Sequence, residues 1–308
     1  MSEIIVVENL GMGWLRDFPD YRDFTPEQDT VPRRLKILGQ KDSVKTMLKK
    51  AGVTGKAAAA ALPASMDLRP WYSPIENQGN LGSCTANAGV GLVEYFERRA
   101  YKRHMDASRL FLYKVTRNMM RATGDTGAYL RTTAGALTLF GTPPEEYWPY
   151  NIADFEKEPS AFCYAFAQSF QAITFYRLDP TGTQRPALLD QIKKNLAAGL
   201  PSMFGFTVYS SYTQANTSGK IPFPVSGDRV VGGHAVDAVG YDDSMKIKNT
   251  AAGATETTGA LLIRNSWGTG WGAAGYGWLP YDYVLKGLAV DWWSLLKNEW
   301  IDTGQFKA

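Results

Sequence analysis

The chain has 308 residues, 44% of them hydrophobic and 20% charged, enough apolar material for the full core of a soluble globular protein. Lysine and arginine exceed aspartate and glutamate by only three, so nothing in the charge points to nucleic acid or to an anionic membrane. No run approaches the roughly 18 apolar residues of a transmembrane helix, and Met1 to Glu8 lacks the basic start of a secretory leader.

Residues 1–62 read as a unit apart from the rest. Residues 11–24 form an aromatic, Pro- and Asp-containing stretch with no helical or strand period. Residues 43–50 have the pattern of a short amphipathic helix. Residues 52–61, glycine and then alanines, read as a linker with nothing to pack. Helical signals then fill residues 72 to about 165: a helix opening at Cys84, another over 108–120 and a third over 132–140. From about 166 onward, aromatic and β-branched residues alternate at 172–176, 202–208, 236–241 and 261–264, and one helix over 185–198 interrupts them. Thirty glycines and 13% aromatic residues suit such a strand-rich, loop-rich half.

The chemistry lies in three places. In Gln78-Gly79-Asn80-Leu81-Gly82-Ser83-Cys84-Thr85-Ala86, a cysteine follows a tight turn and opens a helix, with a glutamine six residues upstream. A free thiol has a pKa of about 8.5; a helix N-terminus and a neighbouring imidazolium bring it down to roughly 3.5–7.5. Only two histidines could supply the imidazole. His104 sits in the basic stretch 101–104, which reads as a solvated helix end. His234 sits in Val230-Val231-Gly232-Gly233-His234-Ala235-Val236, an apolar strand-like run, where a histidine is more often a core residue than a base. The third place is Arg264-Asn265-Ser266-Trp267-Gly268. The second cysteine, Cys163 in Phe162-Cys163-Tyr164, reads as a small buried apolar residue.

In this order, Cys84, His234 and Asn265 resemble the machinery of the papain/cathepsin family of cysteine peptidases. The likeness runs from about Leu62 to Trp300. Pro63-Ala64-Ser65-Met66-Asp67 looks like a mature N-terminus, Gly127-Ala128-Tyr129 like the strip that binds substrate backbone, and Tyr147-Trp148-Pro149-Tyr150 like the Tyr-Pro-Tyr region. The most specific block is Asn265-Ser266-Trp267-Gly268-Thr269-Gly270-Trp271-Gly272. His234 follows Cys84 by 150 residues and Asn265 follows His234 by 31 (234 − 84 and 265 − 234), so the asparagine comes late. The surplus falls in residues 242–259, read as an enlarged hairpin. Departures are Thr85 after the nucleophile, Leu81 where a half-cystine is usual, Gly233 before the histidine, and only two cysteines in the chain. They resemble the family's prokaryotic branch and, with no disulfide framework, suggest a reducing compartment: a cytoplasmic enzyme, or one released without a recognisable signal.

The resemblance implies an α+β, papain-like two-domain fold. A helical half (about 72–165) and an antiparallel β-barrel half (about 166–308) would make up a domain over 63–308, with the cleft between them. It implies an endopeptidase in which Cys84 forms a thioester and pairs as thiolate with the His234 imidazolium. Asn265 orients the imidazole, Trp267 covers their bond, and Gln78 with the Cys84 N–H faces the oxyanion. Substrate contacts would fall to Trp267, Trp271, Ala128, Tyr129, Gly233 and Asp291. Asp291 reads either as an acidic pocket floor that takes Arg or Lys, or as a surface residue ending a strand. No metal and no cofactor are implied. The glycines of 268–272 lack the strand–loop–helix setting of a phosphate loop. Peptide or protein substrates are the expected partners of a monomer. Two alternatives share the motifs: an acyl transferase with the same triad, and a catalytically silent binding protein. Trp14, Phe18, Tyr21 and Phe24 are too apolar for a solvated tail. The segment 1–62 is therefore expected either to restrain the enzyme from within its cleft, with a cut in 52–61 releasing it, or to be a permanent strap.

Overall fold

The structure, a computed structural model, describes residues 10–55, 61–171 and 174–306. The expectations for Met1 to Glu8, for residues 56–60 of the linker and for Ala172 and Ile173 fall outside the described residues. In chain order the elements are β1 (Trp14–Leu15), α1 (Arg33–Ile37), α2 (Val44–Lys50), β2 (Ser65–Asp67), α3 (Cys84–Tyr101), α4 (Arg109–Met120), β3 (Ala128–Tyr129), α5 (Leu130–Leu139) and α6 (Ala161–Ala167). There follow β4 (Thr174–Arg177), α7 (Arg185–Ala197), β5 (Ser202–Tyr209), β6 (Val230–Ile247), β7 (Thr257–Arg264), β8 (Tyr276–Pro280), α8 (Tyr281–Leu285), β9 (Ala289–Leu296) and α9 (Asn298–Asp302). Among the described residues no helix is long and apolar enough to cross a membrane.

Helices dominate the first half and an antiparallel sheet the second, the mixed α+β arrangement expected. Serines set several helix starts: Ser43, Ser108 and Ser160 each accept a backbone N–H from the first turn of α2, α4 and α6. The exception in kind is α3, which is buried on nearly every face. Its small residues let neighbours press close. A Cβ on Gly89 would lie 3.0 Å from Thr133 of α5, and one on Gly91 would lie 2.6 Å from the Asp237 carboxylate of β6. The helix is thus the wall between the two halves, and its first residue opens onto their seam.

The sheet has seven strands in the order β4-β9-β5-β6-β7-β8, with β2 also on β6. The 18-residue β6 does double duty, pairing with β5 through its first half and with β2 and β7 through its second. In the β6–β7 ladder Asp237 faces Arg264; carrying that antiparallel register past the end of β7 sets Trp267 opposite His234. The expected hairpin surplus lengthens both strands as far as the pair Ile247–Thr257.

The N-terminal segment differs from the expectation of a loose linker. Val44, Met47 and Leu48 of α2 are fully buried, and so are Ala51 and Val53 beyond it. Asn298 at the start of α9 accepts the backbone N–H groups of Lys41 (2.9 Å) and Asp42 (3.2 Å). Val53 therefore packs, where the glycine-rich composition had suggested nothing would.

Candidate active site

Cys84 is the first residue of α3, with its sulfur completely buried. The turn before it is held by the Asp125 carboxylate, which accepts the Gly82 N–H at 3.0 Å and the Tyr113 hydroxyl at 2.5 Å. Ser83 is tied to the Tyr150 hydroxyl at 2.6 Å. On β6, His234 is also fully buried. Its Nε2 lies 2.8 Å from Asn265 Oδ1, and the Ser266 N–H donates to the same atom at 2.8 Å, which marks it as the amide oxygen. Nε2 is then the protonated nitrogen and Nδ1, without a partner among the described residues, the basic one. The Trp267 ring stacks on the imidazole at 4.3 Å and 19°.

Gln78 completes the arrangement. Its Oε1 accepts the Ser266 hydroxyl at 2.5 Å, and this fixes which way the amide points. Its Nε2 donates to the Leu81 carbonyl at 2.8 Å and to a second carbonyl, that of Gly11, at 3.0 Å. That second partner belongs to the N-terminal segment. The Gly13 N–H donates to the Cys84 sulfur at 3.3 Å, the Ala128 N–H donates to the Gly13 carbonyl at 2.8 Å, and β1 pairs with β3 in parallel. Trp267 Nε1 also donates to the Gly11 carbonyl, at 3.3 Å. Residues 10–15 thus lie along the seam of the two halves and cover nucleophile, base and amide together.

This cover changes the electrostatics. Burial pushes the Cys84 thiol up to about 11, against the pull of the Ala235, Gly13 and Thr85 backbone N–H groups. Burial likewise holds the His234 imidazole down to about 4, opposed by the hydrogen bond to Asn265. With the segment in place both shifts favour the neutral thiol and the neutral imidazole. Burial thus works against the thiolate–imidazolium pair expected from sequence.

Residues 62–285 match the papain family of cysteine proteases. The chain belongs to that family. A peptidase C1-like protein of Acanthamoeba polyphaga mimivirus, itself uncharacterised, is 30% identical over 292 residues, covering 91% of this chain and 85% of its own. Xylellain, a cysteine protease from Xylella fastidiosa, superposes with a TM-score of 0.72 at 31% identity, covering 96% of this chain and 98% of the other. Digestive procathepsin L 3 of the Tenebrio molitor larval midgut shares the fold at a TM-score of 0.59 and 18% identity. The protein is accordingly a papain-like cysteine peptidase, a hydrolase, built without disulfides: Cys84 and Cys163 are both free.

The remaining family positions are spread around the covering segment. Ala128 and Tyr129 are its backbone partners in β3. Gly233 has to be small, since a Cβ there would lie 2.8 Å from the Trp14 ring; this accounts for the glycine before the histidine. Trp271 is buried edge-on to Trp267 at 5.8 Å and stacks on Tyr212, so it backs the tryptophan that covers His234. Asp291 corrects the surface reading: it is wholly buried in β9, at φ 63°, and accepts the Trp14 indole N–H at 3.0 Å. Cys163 is buried on α6, beside Ser160 and the Tyr147 carbonyl. His104 is exposed, 3.9 Å from Asp106. Sequence reasoning missed Ser266, Asp125 and Arg177. Ser266 sits inside the recognised Asn-Ser-Trp-Gly block and could have been read there; nothing local marks the other two.

Proposed function

We propose that the chain is an endopeptidase held latent by its own residues 10–15. The proposed reaction gives each of the site's groups a step. His234 Nδ1 takes the Cys84 proton as sulfur bonds to the substrate carbonyl carbon. The resulting oxyanion is met by Gln78 Nε2 and the Cys84 N–H. His234 then hands its proton to the amide nitrogen as the C–N bond breaks, leaving a thioester. Water, losing a proton to His234, cleaves the thioester to a carboxylate and restores the thiol. Asn265 keeps the protonated face of the ring fixed throughout.

The observation that carries latency is the Gly11 carbonyl on Gln78, together with the Gly13 N–H on Cys84. The amide meant for an oxyanion already has a partner, and an N–H group faces the sulfur in place of a carbonyl carbon. Direction protects the segment as well. We take the pocket floored by Asp291 as the second subsite; a substrate residue there precedes the carbonyl under attack, whereas Trp14, which occupies it, follows Gly11. The segment thus runs against the direction a substrate takes.

We assign gate and strap to different parts of the segment. Residues 10–24 are the arm. Residues 33–55, with Leu35, Val44, Met47, Leu48 and Val53 buried, are a permanent anchor. A cut in the 52–61 linker would leave the arm held by that anchor. The activating break is therefore placed in residues 25–32, where Glu27, Asp29 and Thr30 are exposed. The test is hydrolysis of dye-labelled casein by the full chain carrying Trp14→Ala and by the same chain with Cys84→Ala added. Cleavage by the first and none by the second is expected. Equal activity in both would overturn the assignment of the nucleophile.

A further inference from the structure

The pocket that holds Trp14 says more than that the arm is docked. Its indole lies over the face of two paired strands where both present glycine: a Cβ on Gly205 of β5 would sit 1.9 Å from the ring and one on Gly233 of β6 would sit 2.8 Å from it. Gly205 and Gly233 are diagonal neighbours on one face of the β5–β6 ladder, and their missing side chains leave a flat slot on that face against which an aromatic ring lies. At its end is Asp291, a non-glycine residue at φ 63°, a left-handed conformation that few such residues adopt.

The carboxylate at the end of the slot already has partners. Asp291 Oδ1 accepts the Trp293 indole N–H at 2.7 Å and lies 3.3 Å from the buried Arg177 guanidinium. Arg177 is held in turn by Asp179 at 2.9 Å, and Asp179 accepts the backbone N–H groups of Asp291 and Trp292. Only Oδ2 is turned to the slot, where it accepts the Trp14 N–H. A lysine or arginine side chain entering here would meet a carboxylate that shares the Arg177 guanidinium with Asp179 and Asp23, and that guanidinium stands close behind it. A neutral ring bearing one N–H at its edge meets what Trp14 meets.

We propose that this slot is an indole-reading specificity pocket, so that the opened enzyme selects peptides with tryptophan in the second subsite, Asp291 Oδ2 accepting the indole N–H. The proposal rests on the peptidase reading and replaces the basic preference that an acidic floor suggests. Asp291 discriminates by an unpaired acceptor: a ring of equal size without the N–H leaves Oδ2 buried and unsatisfied.

The test uses the full chain with Trp14→Ala, which empties the slot, and a series of acyl-Xaa-Gly-aminocoumarin peptides with Xaa tryptophan, naphthylalanine, phenylalanine or arginine. Rates are normalised by titrating Cys84 with an irreversible epoxysuccinyl reagent. Tryptophan is expected to exceed naphthylalanine in kcat/KM by roughly ten- to a hundredfold, the scale of a buried hydrogen bond to a charged group. Adding Asp291→Asn should erase that margin: Trp293 and Arg177 draw the amide oxygen to themselves and leave its NH2 facing the indole donor. Equal rates for tryptophan and naphthylalanine, a preference for arginine, or a margin that survives Asp291→Asn overturns the proposal. So does hydrolysis of casein with none of the peptides cleaved. Loss of casein hydrolysis and of Cys84 labelling together would instead remove the peptidase reading beneath it.

Discussion

Trp14→Ala in the full chain should convert a covered site into an open one. Trp14 is 8% exposed, and its ring is gripped by Gly205, Gly233 and the Asp291 carboxylate. Removing a buried tryptophan side chain costs about 3–5 kcal/mol in a protein core. Here the loss falls on the closed arm alone, because in the open arm the ring is already solvated. The vacated slot borders the cleft and fills with water, so the lower end applies, about 3 kcal/mol. At about 1.4 kcal/mol per factor of ten, the open fraction should rise by roughly a hundredfold. The assay is the initial rate on a small fluorogenic peptide under reducing conditions, read before any self-cleavage and paired with the rate of epoxysuccinyl labelling. Both rates should rise together, without a lag. A natively folded Trp14→Ala chain whose two rates stay within a factor of two of the parent would refute the arm as the gate.

Three further outcomes follow from the same contacts. In the Trp14→Ala background, Asn265→Ala should lower kcat by more than it raises KM, since it frees the imidazole to turn without touching substrate; an effect on KM alone would contradict the orienting role. Ser266→Ala removes the hydroxyl that aims the Gln78 amide, and should likewise lower kcat, by up to the two to three powers of ten that an oxyanion donor carries; unchanged turnover would show that the amide needs no guide. The thiolate absorbance of the parent, referenced to Cys84→Ala, should show its step only near pH 11, because the raised pKa keeps the thiol protonated at all lower pH. In Trp14→Ala the step should move below about 7.5, the range of an activated thiol. A parent thiol already ionised at pH 7 would contradict the neutral pair.

Helix and strand placement was legible wherever period and capping agreed. Ser43 and Ser108 open helices where the patterns put them, and the aromatic and β-branched runs after residue 200 became β5, β6 and β7; the short α6 behind Ser160 was not expected. The cysteine turn and the Asn-Ser-Trp-Gly block were legible because the chemistry is local to each: a thiol at a helix start, an amide and a ring a few residues apart. What failed to show was contact between distant stretches with no period. Residues 11–14 touch Gln78, Cys84, Ala128, Gly233 and Asp291, and none of these pairings leaves a mark in either partner. Asp291 read as a surface strand end because polarity is visible in a sequence, whereas a positive φ and a buried arginine partner are not. The anchor was half visible: the period of α2 announced an apolar face, and only the fold shows that α9 receives it. The neutral state of Cys84 and His234 was hidden for the same reason, since it depends on what lies on top of them.

The account stands most directly on which thiol reacts, and when. Equal amounts of the parent and the Trp14→Ala chain are treated with an epoxysuccinyl reagent at neutral pH, digested, and mapped by mass spectrometry. The account predicts a single adduct, on Cys84, forming roughly a hundredfold faster in Trp14→Ala than in the parent, with Cys163 unmodified in both. Modification at Cys163, or none at Cys84 in the opened chain, would contradict it.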